Sequence, residues 1–213
     1  MTPAEVAARL GGLVERAGGG PDGWQERMAT YANLLAETNR QINLVSRRAA
    51  EDLLGSQLVP CLAILDLFPP DSTLRVLDAG TGGGLPGIPL QILRPHIRLD
   101  LVDATRKKVR FVEEALSALG LKGSCAHHCR IEAPTAALLD RAPFDRVVSR
   151  SMGGRPALIG GTQPLLAPKG ELWVFANPTD PHVRPWSETD GTVRTGLLRL
   201  IPAHPKSSQT HPE

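Results

Sequence analysis

The chain has 213 residues, of which 41% are hydrophobic and 22% charged, so it can form a globular core and does not belong to the disordered class. Its formal net charge is only +2, which by itself neither indicates nor excludes a nucleic-acid partner. No stretch approaches the roughly 18 apolar residues of a membrane span, and the three cysteines do not suggest a disulfide framework.

Two helical patterns open the chain. The first residues, MTPAEVAARLGG, lack the basic start and the apolar block of a signal peptide, so we expect a cytoplasmic protein with no membrane partner. Thr2-Pro3-Ala4-Glu5 has the form of a capping box with proline at the first helical position, which predicts a helix ending at glycines 18–20. Asp22 is in position to cap a second helix, in which apolar residues between Trp24 and Leu35 recur at spacings of three and four.

A third helical segment is predicted over about 49–67. Pro60 lies inside it and should bend or break it, because proline has no N–H to donate and its ring clashes with the preceding turn. Pro69-Pro70 ends this part of the chain. We therefore expect residues 1–70 to form a helical extension packed on the rest of the protein.

Short apolar strands alternate with helices in the rest of the chain. Strands are predicted over 74–77, 97–102, 123–128, 144–149 and 172–175, and helices over 88–93 and 107–119. Because such alternation with short links forms mostly parallel sheets, residues 71–203 are predicted to form an α/β, doubly wound, Rossmann-like domain. Asp190-Gly191 is typical of a hairpin turn, here between strands at 186–189 and 192–201. The last residues, 204–213, are expected to be disordered.

A glycine-rich loop, LDAGTGGGLPGIPL at residues 77–90, follows the first predicted strand. Glycine loses more conformational freedom on folding than any other residue, so such a cluster is expected where the chain takes unusual dihedrals or touches a ligand closely. In a doubly wound sheet, ligands bind beyond the carboxyl ends of the strands, and this loop lies there. The spacing Gly82-x-Gly84-x-x-Gly87 is by itself a weak signal for a nucleotide-type ligand.

Two carboxylates narrow the class of ligand. Asp78 precedes the glycines, and Asp103 follows the second predicted strand. A dinucleotide would place its pyrophosphate at this loop, where the fixed charge of Asp78 would repel it. S-adenosylmethionine carries no phosphate, and its ribose diol suits the carboxylate of Asp103. The pattern favours S-adenosylmethionine, with a dinucleotide or a glycine turn that binds no ligand as the alternatives.

Four further stretches extend the pattern: NRQINLVS at 39–46, VDATRKKVRFVEEA at 102–115, CRIEAP at 129–134 and FDRVVSRS at 144–151. Together with the glycine loop they make residues 39–175 resemble the small-subunit ribosomal RNA guanine-N7 methyltransferase G family, also called glucose-inhibited division protein B. The resemblance implies a class I methyltransferase fold and S-adenosylmethionine-dependent N7-methylation of a guanine in 16S ribosomal RNA. It implies small-subunit ribosomal RNA or the 30S particle as the partner, and we expect a monomer.

The resemblance also implies a cofactor site. Its residues are Gly80, Leu85, the pair Ile131-Glu132 and Arg150, with Asp103 on the ribose and with Asp78 and Gly82 completing the loop. Ile131 would lie against the adenine, with Glu132 or its backbone near the exocyclic amine. No catalytic acid or base is nominated, because guanine N7 carries a lone pair and no proton, so the task of the enzyme is to align the reacting atoms.

Two other clusters admit competing interpretations. Arg106, Lys107, Lys108 and Arg110 form either a solvated helix face that pairs with Glu113 and Glu114 or a surface that holds RNA phosphates. The stretch CAHHC at 125–129 contains metal-ligand residue types. Because neighbouring side chains of a strand point to opposite faces, we expect no metal site there.

The chain departs from the family pattern on the substrate side. Where the family usually has an Arg-His pair and then Asp-Ser one turn later, this chain has Ser56-Gln57 and Pro60-Cys61. After the fifth strand it has Ala176-Asn177-Pro178 in place of a Lys-Gly ending. Two alternatives therefore stay open: a methyltransferase for another RNA or for a small molecule, and a non-catalytic relative that binds the cofactor.

Overall fold

One seven-stranded β-sheet forms the centre of the computed structural model, which describes residues 1–150, 154–188 and 191–200. Its strands are β1 Arg75–Ala79, β2 Arg98–Asp103, β3 Cys125–His128, β4 Phe144–Ser149, β5 Leu166–Ala176, β6 Arg184–Ser187 and β7 Val193–Leu200. They lie in the order β3-β2-β1-β4-β5-β7-β6. Strands β1 to β5 pair in parallel, and β7 runs antiparallel between β5 and β6. This order and these directions confirm the predicted α/β, doubly wound sheet.

The predicted strands agree with the observed ones except at some ends. Strand β4 has the predicted bounds, whereas β5 begins at Leu166 rather than at 172. Its additional residues include Pro168 and Gly170, which weaken a strand pattern in a sequence. The predicted hairpin turn includes Asp190, which lies outside the described residues, as does the tail predicted to be disordered, 204–213.

Helices flank the sheet on both faces. They are α1 Pro3–Arg16, α2 Trp24–Asn39, α3 Arg47–Glu51, α4 Val59–Cys61, α5 Gly87–Leu93, α6 Arg106–Ala118, α7 Ala136–Leu139 and α8 Arg155–Thr162. The sequence predicted α1, α2, α5 and α6 but not α7 and α8, because α7 has only four residues and α8 contains two glycines, which are poor helix formers. Among the described residues, none of the helices combines the length and the apolar character needed to cross a membrane.

Each face of the sheet has its own apolar core. The larger core packs Val76 and Val148 against α1, α2, α5 and α6. The smaller core packs Leu77 and Val147 against α7 and α8. Successive side chains of a strand point to opposite faces, so the unbroken apolar pairs of β1 and β4 are what a sheet covered on both sides requires.

The two N-terminal helices start differently. Helix α1 begins at the predicted capping box: Thr2 Oγ1 accepts from the Glu5 N–H at 3.2 Å, and Glu5 Oε2 accepts from the Thr2 N–H at 2.6 Å. The prediction that Asp22 caps α2 is wrong. Gly23 is the N-cap, at a φ of 69°, and no side chain of the described residues caps this helix. The left-handed backbone at that position favours glycine, so the N-cap lies one residue beyond Asp22 and α2 begins at Trp24.

The segment from 47 to 67 is not broken at Pro60, which lies inside α4. The chain is helical from Leu54 to Leu67, and the interruption comes at Asp52, whose φ is −133°. The segment consists of α3, a π-helical turn Leu54–Leu58, the single turn α4 and a 3₁₀ helix Leu62–Leu67. The Val59 N–H donates to the Leu54 carbonyl, five residues back, rather than four residues back as in an α-helix. The helix is therefore widened directly before the proline.

Arg94 ties the N-terminal helices to the sheet. Its side chain is fully buried at the end of α5. Nε donates to the Phe68 carbonyl and Nη2 donates to the Ala17 carbonyl, both at 2.6 Å. Nη1 donates to the carbonyls of Gly19 and Leu93, both at 2.9 Å. One guanidinium thus joins the ends of α1, of the 3₁₀ helix and of α5.

Candidate functional site

A cavity of about 320 Å³ lies at the carboxyl end of β1. Its lining residues are 44–46, Ala49 and Gln57 from the N-terminal segment, 80–83 and Leu85 from the glycine loop, and the two cations Lys108 and Arg150. The cavity is therefore built by the sheet and the N-terminal segment together. It lies where the sequence predicted a ligand.

The glycine loop takes backbone conformations that side-chain-bearing residues rarely adopt. Gly80, Gly82 and Gly84 have φ angles of 75°, 59° and 90°. A Cβ at Gly84 would lie 2.4 Å from Cδ1 of Ile88, so Ile88 would have to move. This wall of the cavity is mostly bare main chain, which lets a ligand approach the backbone closely.

Asp78 lies beneath the loop rather than in the cavity. It is fully buried, and Oδ2 accepts from Thr81 Oγ1 at 2.7 Å and from the Gly87 N–H at 2.9 Å. Oδ1 is buried without a hydrogen-bond partner among the described residues. Burial and, to a smaller extent, the charge of Asp103 raise the pKa of this carboxyl to about 7, against the lowering effect of the two hydrogen bonds and of Arg150. Asp78 holds both ends of the loop, and its contact with a cofactor stays a prediction.

Asp103 fixes the tip of the loop from the end of β2. Oδ2 accepts from the Gly82 N–H at 3.0 Å, and Oδ1 accepts from the Thr105 N–H at 2.8 Å. The residue is 7% exposed and is not among those that line the cavity. A carboxylate oxygen accepts more than one hydrogen bond, so these contacts leave capacity for a ribose diol. The ribose contact stays a prediction.

The pair Ile131-Glu132 also lies outside the cavity lining. Ile131 is buried and Glu132 is exposed. Helix α8 approaches their backbone at Gly161, where a Cβ would lie 2.7 Å from the Ile131 carbonyl oxygen and 3.0 Å from the Glu132 nitrogen. Glycine is required for this close approach. Of the predicted cofactor residues, Gly80, Gly82, Leu85 and Arg150 line the cavity, whereas Asp78, Asp103, Ile131 and Glu132 do not.

Arg150 is held by acceptors from one helical turn. Nη1 donates to the Gln57 carbonyl at 3.1 Å and to Cys61 Sγ at 3.2 Å, and Nη2 donates to the Ser56 carbonyl at 3.2 Å. Burial raises the pKa of the Cys61 thiol, and Arg150 partly offsets that rise. The guanidinium is thereby fixed at the cavity by residues at which the chain departs from the family pattern.

Sequence reasoning misses two residues that hold the cavity walls. Tyr31 is fully buried on α2 and donates its OH to the Gly83 carbonyl at 2.7 Å, and burial raises the pKa of this phenol. Asn39 Oδ1 accepts from the N–H groups of Leu44 at 2.8 Å and Val45 at 2.9 Å, which shapes the opposite wall. The sequence gives only weak indications of these two roles. A tyrosine on an apolar helix face needs a partner for its OH, and asparagine is typical of turns.

The CAHHC stretch makes ordinary contacts within the fold. His127 Nε2 lies 2.6 Å from Oδ1 of the buried Asp100, which also accepts from Arg141 Nε. His128 Nε2 lies 3.1 Å from the Ala104 carbonyl oxygen. Within the described ranges, no three His, Cys, Asp or Glu side chains are grouped to hold a metal ion.

The basic cluster at the start of α6 reaches the cavity at Lys108. Arg106, Lys107 and Arg110 are exposed. The ion pairs formed between described residues include none of these four side chains, nor the two glutamates one turn later. Their charges are therefore open to a polyanion that approaches the cavity.

A family model described as rRNA small subunit methyltransferase G matches residues 24–177. The ribosomal RNA small subunit methyltransferase G of Hydrogenovibrio crunogenus is 35% identical over 149 residues, which cover 70% of this chain and 66% of that protein. The protein of the same description from Chlorobium limicola is 39% identical over 148 residues, or 69% of this chain and 64% of that one. The matched part thus spans slightly less than two thirds of these relatives.

One solved structure supports the fold alone. A crystal structure described as that of a mutant of MtNAS superposes with a TM-score of 0.52, covering 78% of this chain and 69% of that chain. The two sequences are 14% identical, so the likeness concerns the arrangement of strands and helices and not the chemistry of the cavity.

Proposed function

The chain belongs to the rRNA small subunit methyltransferase G family, and on that premise we propose that it transfers a methyl group from S-adenosylmethionine to N7 of a guanine in small-subunit ribosomal RNA. The observation that carries the proposal is the cavity between the bare glycine loop and the fixed guanidinium of Arg150. Residues 1–70 are the helical extension and residues 71–203 the methyltransferase domain. The protein acts as a cytoplasmic monomer on ribosomal RNA or on the 30S particle.

The residues at the cavity fit S-adenosylmethionine, which when bound supplies a methyl group on a sulfonium centre. Gly80 and Gly82, both at positive φ, leave space for the adenosyl part against main chain. Arg150 would pair with the carboxylate of the amino-acid part, as guanidinium groups commonly do. Asp103 would hold the ribose hydroxyls, and Ile131 would lie against the adenine. These contacts bind and orient the cofactor.

The cavity suits a reaction that moves no proton. Its described lining residues include two cations and no carboxylate or imidazole. Guanine N7 has a lone pair and no proton, so a general base is not needed. The chain contributes alignment of the base with the methyl donor and exclusion of water, and orientation alone can lower a barrier by about 7 kcal/mol or more.

Replacing Arg150 with alanine is expected to raise the Kd for S-adenosylmethionine by about 10- to 100-fold, because a hydrogen-bonded charge pair contributes about 1.5–3 kcal/mol. Isothermal titration calorimetry measures this directly. Arg98→Ala is the matched control, because Arg98 is exposed and begins β2, at the end of the strands away from the cavity. Failure of the unmodified chain to bind S-adenosylmethionine would contradict the proposed function.

The substrate is tested by offering labelled methyl donor with small ribosomal subunits, with naked ribosomal RNA and with a metabolite extract. Label in guanine N7 of the RNA supports the proposal. Label confined to a small molecule or to another RNA supports a diverged methyltransferase instead. If the chain binds the cofactor but transfers label to none of the three substrates, it is a non-catalytic relative. The departures from the family pattern at Ser56-Gln57 and Pro60-Cys61 are the reason for testing this alternative.

Reversing the charges of Arg106 and Arg110 together is expected to weaken binding of small-subunit ribosomal RNA at least 10-fold at low salt. The two side chains are exposed and four residues apart, so they share one face of α6. Each lost phosphate contact lowers the slope of log K against log salt by about 1, so a loss of about 2 is expected from filter binding. Lys122→Glu, beyond the other end of α6, is the control. A salt slope equal to that of the unmodified chain would count against this surface.

A further inference from the structure

The carbonyl of Ser56 lacks its ordinary helical donor. In an α-helix the N–H of residue 60 would donate to the carbonyl of residue 56. Residue 60 is a proline and has no N–H. The turn before it is π-helical, with the Val59 N–H on the Leu54 carbonyl. The Ser56 carbonyl is therefore available to side chains.

Two side chains use this carbonyl. Arg150 Nη2 donates to it at 3.2 Å, and Gln57 Nε2 donates to it at 2.9 Å. The other guanidinium nitrogen, Arg150 Nη1, donates to the Gln57 carbonyl and to Cys61 Sγ. The two carbonyls are fixed in the main chain of one turn, so they hold the planar guanidinium in one orientation without a carboxylate.

We propose that Pro60 is a positioning residue for Arg150: the N–H it lacks leaves the Ser56 carbonyl free to hold the guanidinium at the cavity. This inference rests on the proposed function, in which Arg150 binds the cofactor. An arginine side chain that is held in its binding orientation loses less conformational freedom when the ligand arrives, so the affinity is higher. Pro60 itself is buried and does not line the cavity.

Pro60 and Cys61, two of the residues at which the chain departs from the family pattern, thereby have a role in holding Arg150. Ser56 and Gln57 provide the two carbonyls, Cys61 provides the sulfur, and Pro60 frees one of the carbonyls. Any residue at positions 56 and 57 would supply the same carbonyls, so the Ser56 and Gln57 side chains are not what anchors the guanidinium. The chain has kept an arginine at this place with an anchor made of main chain.

Pro60→Ala restores an N–H at residue 60, which is expected to return this turn to α-helical hydrogen bonding and to compete with Arg150 for the Ser56 carbonyl. The expected result is a Kd for S-adenosylhomocysteine about 5- to 10-fold higher, measured by calorimetry, because the guanidinium loses one of its anchors and has to be ordered when the ligand binds. Pro60→Val restores the same N–H, keeps more of the buried volume and should give the same loss. It serves as the second variant if the alanine form does not fold.

A control variant and a double-mutant cycle distinguish positioning of Arg150 by Pro60 from a purely structural role of Pro60. Val59→Ala removes buried atoms from the same turn but keeps Pro60, so it should lower the Tm and leave the Kd unchanged. Arg150→Lys replaces the planar guanidinium with an ammonium, which cannot be held by two carbonyls in the same way. In this background Pro60→Ala should cause little further loss of affinity.

Each outcome decides one question. A loss of affinity from Pro60→Ala with Arg150 present and none with lysine there supports the inference. An equal loss in both backgrounds, or no loss in either, overturns it while leaving the proposed function intact. No binding of S-adenosylhomocysteine by the unmodified chain overturns the proposed function and the inference with it.

Discussion

Replacing Arg94 with methionine is expected to lower the free energy of unfolding by about 3–5 kcal/mol. The guanidinium is fully buried and donates to the carbonyls of Ala17, Gly19, Phe68 and Leu93. Methionine has a similar length but donates no hydrogen bond, so these carbonyls would be left without this donor. A buried acceptor without a partner costs about 1–3 kcal/mol, and relief from burying a charge offsets part of the sum.

The loss should appear first at the junction of the N-terminal helices with the sheet. Thermal unfolding is expected to shift down by roughly 10 °C, since 1 kcal/mol moves the Tm of a chain of this size by about 2–4 °C. Hydrogen exchange should accelerate first around residues 17–20. Arg98→Met is the control, because Arg98 is exposed and its substitution should change stability by less than about 0.5 kcal/mol. Equal Tm values for the two variants would contradict the prediction.

Replacing Asp78 with asparagine is expected to make the protein more stable than the unmodified chain above pH 7. Burial raises the pKa of this carboxyl from 3.8 to about 7 in the folded chain. Between these values the folded chain holds a proton that the unfolded chain has released. The stabilisation from this group is therefore complete below about pH 4 and is lost as the pH rises through about 7. The full loss is on the order of 4 kcal/mol, and asparagine, which does not ionise, avoids it.

Urea unfolding followed by tryptophan fluorescence at pH 5 and pH 8.5 measures this effect. Asparagine keeps an oxygen acceptor for Thr81 and Gly87, so the variant should resemble the unmodified chain at pH 5 and exceed its stability at pH 8.5. Asp71→Asn, at an exposed aspartate, should follow the pH profile of the unmodified chain. If Asp78→Asn also follows that profile, ionisation of Asp78 does not destabilise the fold.

Local patterns in the sequence predicted the secondary structure where one residue type has one strong physical consequence. The capping box of Thr2 and Glu5 starts α1, and the apolar run at 144–149 is β4 with the predicted bounds. Pro60 does not end its helix: the chain passes through it with a π-helical turn before it and a 3₁₀ helix after it, because the missing N–H disturbs only the hydrogen bonding of that turn. Helix α8 was not predicted, because its glycines lower helix propensity and one of them is needed for contact with a distant backbone.

The position of the cavity could be predicted from the sequence, but most of the residues that line it could not. The glycine loop follows a strand in the sequence, so its position at the end of β1 was determined by chain order. Asp78 and Asp103 flank the loop as predicted, yet their oxygens accept hydrogen bonds from the loop itself. Sequence alone does not separate a carboxylate that faces a ligand from one that supports the loop beside it.

By itself the sequence determined the order of the strands, the class of sheet and the position of the glycine loop that lines the cavity. These follow from periodicity and from glycine and proline positions, which act over a few residues. Tertiary structure decided which side chains meet at the cavity: Arg150 is 93 residues from the Gln57 carbonyl that holds it, and Arg94 is 77 residues from that of Ala17. Such contacts depend on how the N-terminal helices pack against the sheet, because a polar group buried by that packing must find its partner among whatever groups the fold brings near.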